Sequence, residues 1–175
     1  SNLSYAKKNG NIEIIKGSIL DFDLLLKCFD KADFIFHQAA ISITQCAKSN
    51  RLAHDVMSTG TFNVAEAAVK CQVKKVIAAS SASIYGQAKS FPTKEIHHPY
   101  FDDTLYGATK TYLEKIFRSF KNMYDLDYVV LRYFNVFGPR MDTDGKYTEV
   151  LIRWLDCIRN NIQPIIHGDG STSMD

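Results

Sequence analysis

Short apolar runs alternate along the chain with longer segments in which apolar residues recur every three or four positions. That order predicts a parallel sheet joined by crossover helices. The strand-like runs are Ile12 to Lys16, Asp33 to His37, Lys75 to Ala79, Asp127 to Arg132 and a short Pro164 to His167. Helices are predicted from about Asp21 to Phe29, over a long stretch ending near Cys71 that contains Phe62, Val64, Ala65, Ala68 and Val69, and from Tyr147 to Arg159. Between Gln87 and Asp103 two prolines, two histidines and few apolar repeats predict a loop, and Asp103 or Thr104 is placed to cap the helix that follows. That helix carries Leu105, Thr109, Tyr112, Ile116 and Phe120 as an apolar stripe, with Tyr106 and Lys110 beside it. Neither a repeat nor a linker interrupts the pattern.

Composition narrows the class of protein. A chain of 175 residues that is 46% hydrophobic and 23% charged suits one ordinary globular domain. Its formal charge of +2 comes from scattered residues, without a basic run to track a phosphate backbone, so nucleic acid is not an expected partner. Cys28, Cys46, Cys71 and Cys157 form no Cys-x-x-Cys pair, which argues against a zinc or redox motif and fits free thiols in the cytoplasm. No apolar stretch is long enough for a membrane span, and the first residues lack the regions of a signal peptide. His97 and His98 are adjacent rather than spaced like helical metal ligands, and no metal is expected; they read as part of a solvated loop.

Polar and small residues gather where the strands end, which is where open parallel sheets bind ligands. His37 to Ala40 follows one strand, Ser80 to Tyr85 a second, and Asn135 a third. Tyr106 and Lys110 are one helical turn apart and project from one face. A free tyrosine has a pKa near 10, and an adjacent ammonium favours its phenolate. Ser81 could hold a substrate hydroxyl while Tyr106 takes its proton and a hydride leaves the same carbon. Alone, a Tyr–Lys step of four residues is a common surface pair. His37 reads first as a satisfied strand-end histidine, Phe134 as core, and Ser80 and Ser83 as turn residues. Arg140, Asp142, Asp144 and Lys146 read as a solvated loop.

Seven motifs in order carry a resemblance. They are Lys-Gly-Ser-Ile-Leu-Asp at 16–21, His-Gln-Ala-Ala at 37–40, Gly-Thr at 60–61, Ser-Ser-Ala-Ser-Ile-Tyr-Gly at 80–86, Tyr-Gly-Ala-Thr-Lys at 106–110, Leu-Arg-Tyr-Phe-Asn-Val-Phe-Gly-Pro-Arg at 131–140, and Gly-Asp-Gly-Ser-Thr-Ser-Met-Asp at 168–175. The chain resembles the extended short-chain dehydrogenase/reductases, and within them the NAD-dependent nucleotide-sugar epimerase/dehydratase group. The resemblance implies an α/β fold with a Rossmann-like, doubly wound parallel sheet, and makes residues 1–175 a partial NAD-binding domain with the start of a substrate-binding region from about 140. It implies Tyr106 as catalytic base and acid, Lys110 as holder of the nicotinamide ribose, and Ser81 as the third catalytic residue. Ser18, Ile19, Gln38, Ala39, Ala40, Ser42, Ala79, Ser80, Tyr133 and Phe134 would line the NAD together with Tyr106 and Lys110. Ser81, Ser83, Tyr106 and Asn135 would contact the sugar nucleotide. Relatives that eliminate or decarboxylate place an acid just after the catalytic Ser or Thr, whereas this chain has Ala82 and Ser83. C4 epimerisation of a UDP-hexose or UDP-N-acetylhexosamine is therefore the expected reaction, in a homodimeric cytoplasmic parent, with a nucleotide-sugar reductase or dehydrogenase of the same family, or a non-catalytic NAD-binding protein, as the alternatives.

Three positions depart from the family pattern. Ser18 stands where an Asp usually meets the adenine, Met57 where an Asn precedes Gly-Thr by three, and Met174 where an Arg often binds the diphosphate. The chain also has no Gly-x-x-Gly-x-x-Gly run to admit a pyrophosphate to a helix N-terminus. The expectation is an internal piece of a longer enzyme, lacking the first βαβ unit and the C-terminal substrate subdomain. In a strand order of 3-2-1-4-5-6 its first strand would lose its neighbours. Alone, the chain is expected to be partly unfolded or poorly soluble, and inactive.

Overall fold

A computed structural model of the chain describes residues 3–87, 90–97, 102–138, 141, 150–166 and 168–170. His98, Arg140, Asp142, Asp144, Lys146, the start of the predicted helix at Tyr147, His167 and Met174 lie outside the described residues. The chain divides into two units, Ile15–Phe134 and a second made of Ser1–Ile14 with Asn135–Asp175.

The larger unit holds a parallel three-stranded sheet in the order β1-β2-β3, with β1 at Phe34–His37, β2 at Lys75–Ser81 and β3 at Tyr128–Tyr133. In register, His37 lies beside Ala78, Ser80 beside Arg132 and Ser81 beside Tyr133. Parallel neighbours need long connections, and helices supply them. Helix α2 (Phe22–Phe29) starts where the Asp21 carboxylate accepts from the Leu24 N–H, and it buries Leu25 and Phe29. Helices α3 (Ile43–Lys48), α4 (Asn50–His54) and α5 (Gly60–Lys70) join β1 to β2, and α6 (Leu105–Tyr124) joins β2 to β3.

One core unites α2, α5, α6 and the sheet: Val64, Ala65 and Ala68 of α5, Val76 and Ala78 of β2, and Leu113, Phe117 and Phe120 of α6. Burying a side chain the size of Phe117 contributes about 2–3 kcal/mol. Small residues let α5 come close, and at Gly60 a β-carbon would collide with Ile19. The alternate residues of the outer strands, Phe34, Phe36, Val129 and Leu131, are exposed. In the second unit, α1 (Ser4–Asn9) and α7 (Val150–Arg159) bury no residue, and α7 ends as Ile162 N–H reaches the Cys157 carbonyl at 2.8 Å.

Several sequence expectations are corrected. Residues 12–16 and 164–166 form no strand, because a strand needs a ladder partner and none lies beside either segment among the described residues. The stretch before Cys71 is not one helix but α3, α4, a π turn at Asp55–Thr59 and α5, broken first at Ser49. Strand β2 runs two residues past Ala79, and β3 is displaced by one residue, to Tyr133. On α6 the buried residues are Gly107, Thr109, Lys110, Leu113, Phe117 and Phe120, so Thr109 and Phe120 of the expected stripe are buried, whereas Leu105 and Tyr112 are exposed. Lysine burial shifts the phase: its stem packs inward and its ammonium finds a carbonyl. His97 is half buried, with its ring 6.2 Å from that of Tyr85, rather than solvated.

Candidate active site

The carboxyl ends of β1, β2 and β3 lie side by side, which assembles the strand-end residues of the larger unit. Ser81 closes β2, and its Oγ accepts from the Ser83 N–H at 3.1 Å and meets Ser83 Oγ at 3.1 Å. That cap turns the chain into a single 3₁₀ turn, Ala82–Tyr85. Ala79 and Ser80 are buried, and the Ser80 hydroxyl donates to Glu114 Oε1 at 2.7 Å.

Tyr106 and Lys110 stand in the first turns of α6. The Thr104 side chain caps this helix by accepting from the Gly107 N–H at 3.0 Å, and Thr104 in turn bonds to Asp102. A β-carbon at Gly107 would strike the Asp102 carboxyl, so glycine lets that carboxyl sit against the helix next to Tyr106. Lys110 is only 3% exposed and donates from Nζ to the Ala79 carbonyl at 2.7 Å, two residues before Ser81. Its Nζ is 5.7 Å from the centroid of the Tyr106 ring. Burial lowers the lysine to about 8, against a smaller opposing pull from Cys46.

A second group of contacts lies around Met57, which is buried with Cys46 and Ala53, and Tyr106 leans on that cluster. Met57 Sδ is 3.7 Å from Cys46 Sγ and 3.5 Å from Thr109 Oγ1. Burial raises the Cys46 thiol. Thr61 donates its hydroxyl proton to the Met57 carbonyl at 2.6 Å, so it must accept from His37 Nε2–H at 3.0 Å. Burial first, and the charge of Lys110 second, lower His37 to about 4, which agrees with the neutral Nε2–H form. His37 is therefore a satisfied strand-end histidine.

The remaining sequence candidates fall as follows. Gln38, Ala39 and Ala40 are exposed directly after β1, and exposed Ser42 caps α3 through its backbone. Ile19 rests on α5 at Gly60, while Ser18 Oγ accepts from the Leu20 N–H at 3.2 Å. Tyr133 is beside Ser81, and the exposed Phe134 ring is 6.1 Å from that of Tyr85. Asn135 begins the second unit in an exposed bend.

Two residues to which the sequence reading gives no role, Glu114 and Arg132 of the motif at 131–140, belong to the same construction. Arg132 forks onto Glu114, Nε to Oε1 at 2.9 Å and an Nη to Oε2 at 2.8 Å. Its other Nη donates to the Glu95 carbonyl at 2.7 Å, and its guanidinium lies 4.9 Å from the centroid of the Tyr85 ring. Burial works to raise the Glu114 carboxyl, but hydrogen bonds from Arg132 and Ser80 hold it below the usual range, and Glu114 holds Arg132 protonated. The signal was the four-residue step from Tyr106 to Lys110, which continues to Glu114.

A dinucleotide fits the chemistry present. Lys110 spends one ammonium hydrogen on Ala79, and its other two have capacity for ribose hydroxyls, while small side chains follow β1.

Known proteins are similar to the chain over most or all of its length. The family model described as NAD dependent epimerase/dehydratase family matches residues 1–175. The chain is 35% identical over 178 residues to a UDP-glucose 4-epimerase of Mycolicibacterium smegmatis, covering 99% of the chain and 56% of that relative. It is also 35% identical to a UDP-N-acetyl-alpha-D-glucosaminuronate decarboxylase of Bacillus cytotoxicus, covering 92% of the chain and 51% of the relative. A UDP-N-acetylglucosamine 4-epimerase from Methanobrevibacter ruminantium, solved in complex with UDP-N-acetylmuramic acid, superimposes with a TM-score of 0.82 at 34% identity, over 93% of this chain and 54% of that one. The chain thus spans little more than half the length of each. The match of the family model to all 175 residues, on a chain with this parallel α/β sheet, places it in the NAD-dependent epimerase/dehydratase family.

Proposed function

We propose that the full-length protein is an NAD-dependent nucleotide-sugar 4-epimerase acting on a UDP-hexose or UDP-N-acetylhexosamine through a 4-keto sugar. The observation that carries this reading is Lys110, buried beside Tyr106 and bonded to the strand that ends in Ser81. Ser81 orients the C4 hydroxyl by a hydrogen bond, the Lys110 ammonium stabilises the negative charge of the Tyr106 phenolate, and Tyr106 Oη takes the hydroxyl proton, which leaves both the tyrosine and the keto sugar neutral. Once the keto sugar has turned over, Tyr106 returns the proton to the opposite epimer. Bound NAD supplies a hydride acceptor that gives the hydride back. The residues that would hold it are Lys110, Ser18, Ile19, Gln38, Ala39, Ala40, Ser42, Ala79, Ser80, Tyr133 and Phe134, while Ser83 and Asn135 would contact the sugar nucleotide.

One relative is a decarboxylase, but Ala82 and Ser83 put no carboxyl next to Ser81 in this chain, which favours oxidation and return over elimination. The exposed Phe62, Leu105 and Tyr112 line a groove between α5 and α6, and support a homodimer. No described helix is long and apolar enough to cross a membrane, and a cytoplasmic enzyme is the reading proposed. The test is full-length protein with NAD and a UDP-hexose. Interconversion of the C4 epimers without net NADH is expected, and Tyr106→Phe abolishes it. Stoichiometric NADH accumulation would identify a dehydrogenase instead, and undiminished turnover by Tyr106→Phe would remove the catalytic assignment.

A further inference from the structure

We propose that Glu114 is a positioning residue, which sets Ser81 against Tyr106 by clamping the ends of β2 and β3 to α6 through Ser80 and Arg132. The inference rests on the catalytic reading above. Ser81 and Tyr106 belong to different elements, so a productive distance between them has to be imposed by whatever joins the end of β2 to α6. Lys110 makes one such tie, through the Ala79 carbonyl. The Glu114 carboxylate makes the next, one turn further along the helix and one residue further along the strand.

Ser80 and Arg132 are cross-strand neighbours, and both reach the same carboxylate. The layer immediately beyond them is Ser81 beside Tyr133. Glu114 therefore holds the last layer of the sheet before the candidate site, from two strands at once. Arg132 extends the hold to Glu95 and to Tyr85, at the end of the turn that contains Ser83. A bidentate arginine–carboxylate pair is directional as well as charged, so it fixes a position that apolar packing would leave free to slide. Both side chains are only 20% exposed, which limits solvent competition for these bonds.

The test is steady-state epimerisation by the full-length protein and its Tyr106→Phe, Glu114→Gln, Arg132→Lys and Ser80→Ala variants, with rates referred to the folded fraction. Glu114→Gln keeps the shape and loses the charge, while Arg132→Lys keeps the charge and loses the fork. Both are expected to lower kcat by about 10- to 100-fold, with KM for the sugar nucleotide within about twofold, because misplacement of a reacting group by about 1 Å costs on that order. Ser80→Ala removes one hydroxyl and lowers kcat by about threefold on the same argument; it decides the question if the other two variants do not fold. Unchanged kcat per folded molecule in the variants that fold, or a rise in KM alone, overturns the positioning role. If Tyr106→Phe is inactive while Glu114→Gln is fully active, the positioning role alone falls. If Tyr106→Phe turns over normally, the catalytic reading falls and this inference with it.

Discussion

Lys110 adjoins two unlike neighbourhoods. Towards Ser80, the contacts are the carboxylate of Glu114 and the guanidinium of Arg132, joined by bonds of 2.7 to 2.9 Å. Towards β1 and α3 they are the sulfurs of Met57 and Cys46, at 3.5 to 3.7 Å from their partners, with the neutral His37–Thr61 pair nearby. Charge-assisted bonds are short and directional, and sulfur contacts are soft and tolerant of displacement. The first neighbourhood is built to set positions, and the second to fill space and keep water from the ammonium.

The comparison breaks most visibly at Glu114. Glu114→Ala strands the Arg132 charge, and removing one partner of a buried pair costs about 3–5 kcal/mol, discounted here to about 3 because each side chain keeps a fifth of its exposure. Urea unfolding of the full-length protein would measure it, and a loss below about 1 kcal/mol would reduce the pair to an ordinary surface ion pair.

A smaller effect belongs to the soft side. His37 titrates near 4 when folded and near 6.5 when unfolded, so between those values the unfolded chain binds more protons and stability rises with pH. Its contribution is present above 6.5 and is lost as pH falls through 4, with an upper bound of about 3 kcal/mol at 1.36 kcal/mol per unit. His37→Gln should flatten that part of the stability curve; an unchanged slope would mean that other groups produce it.

Least of all should Met57→Leu matter. A swap of similar volume costs below about 1.5 kcal/mol, and kcat should stay within about twofold. A large fall in kcat with little change in Tm would show that the sulfur side sets positions too.

Much of the local structure was legible. The start of α2 near Asp21 and that of α6 at Asp103 or Thr104 were legible, and Thr104 is the residue that caps α6, because a cap needs only a side-chain oxygen two or three residues from a free N–H. The period of α6 was legible, but its phase was not: hydropathy treats Lys110 as a surface residue, and its burial depends on the Ala79 carbonyl, 31 positions away. The two-residue extension of β2 was not legible for the same reason, since polar serines end a strand by pattern and the Ser80 hydroxyl is satisfied by Glu114. Ile12 to Lys16 shows the reverse case. Its residues suit a strand, but a ladder needs a neighbour, and composition does not supply one.

By itself, then, the sequence determined the alternation of the three observed strands with helices, the start of α6 at Asp103 or Thr104, and the presence of a serine, a tyrosine and a lysine in the segments around the strand ends. These follow from periodicity and hydrogen bonding within a few residues. Only the tertiary structure decided the proton on His37, the burial of Lys110, and the meeting of Ser80, Glu114 and Arg132, because each depends on partners 18 to 34 positions apart. Sheet register and helix packing bring such partners together, and neither is written in any local run of residues.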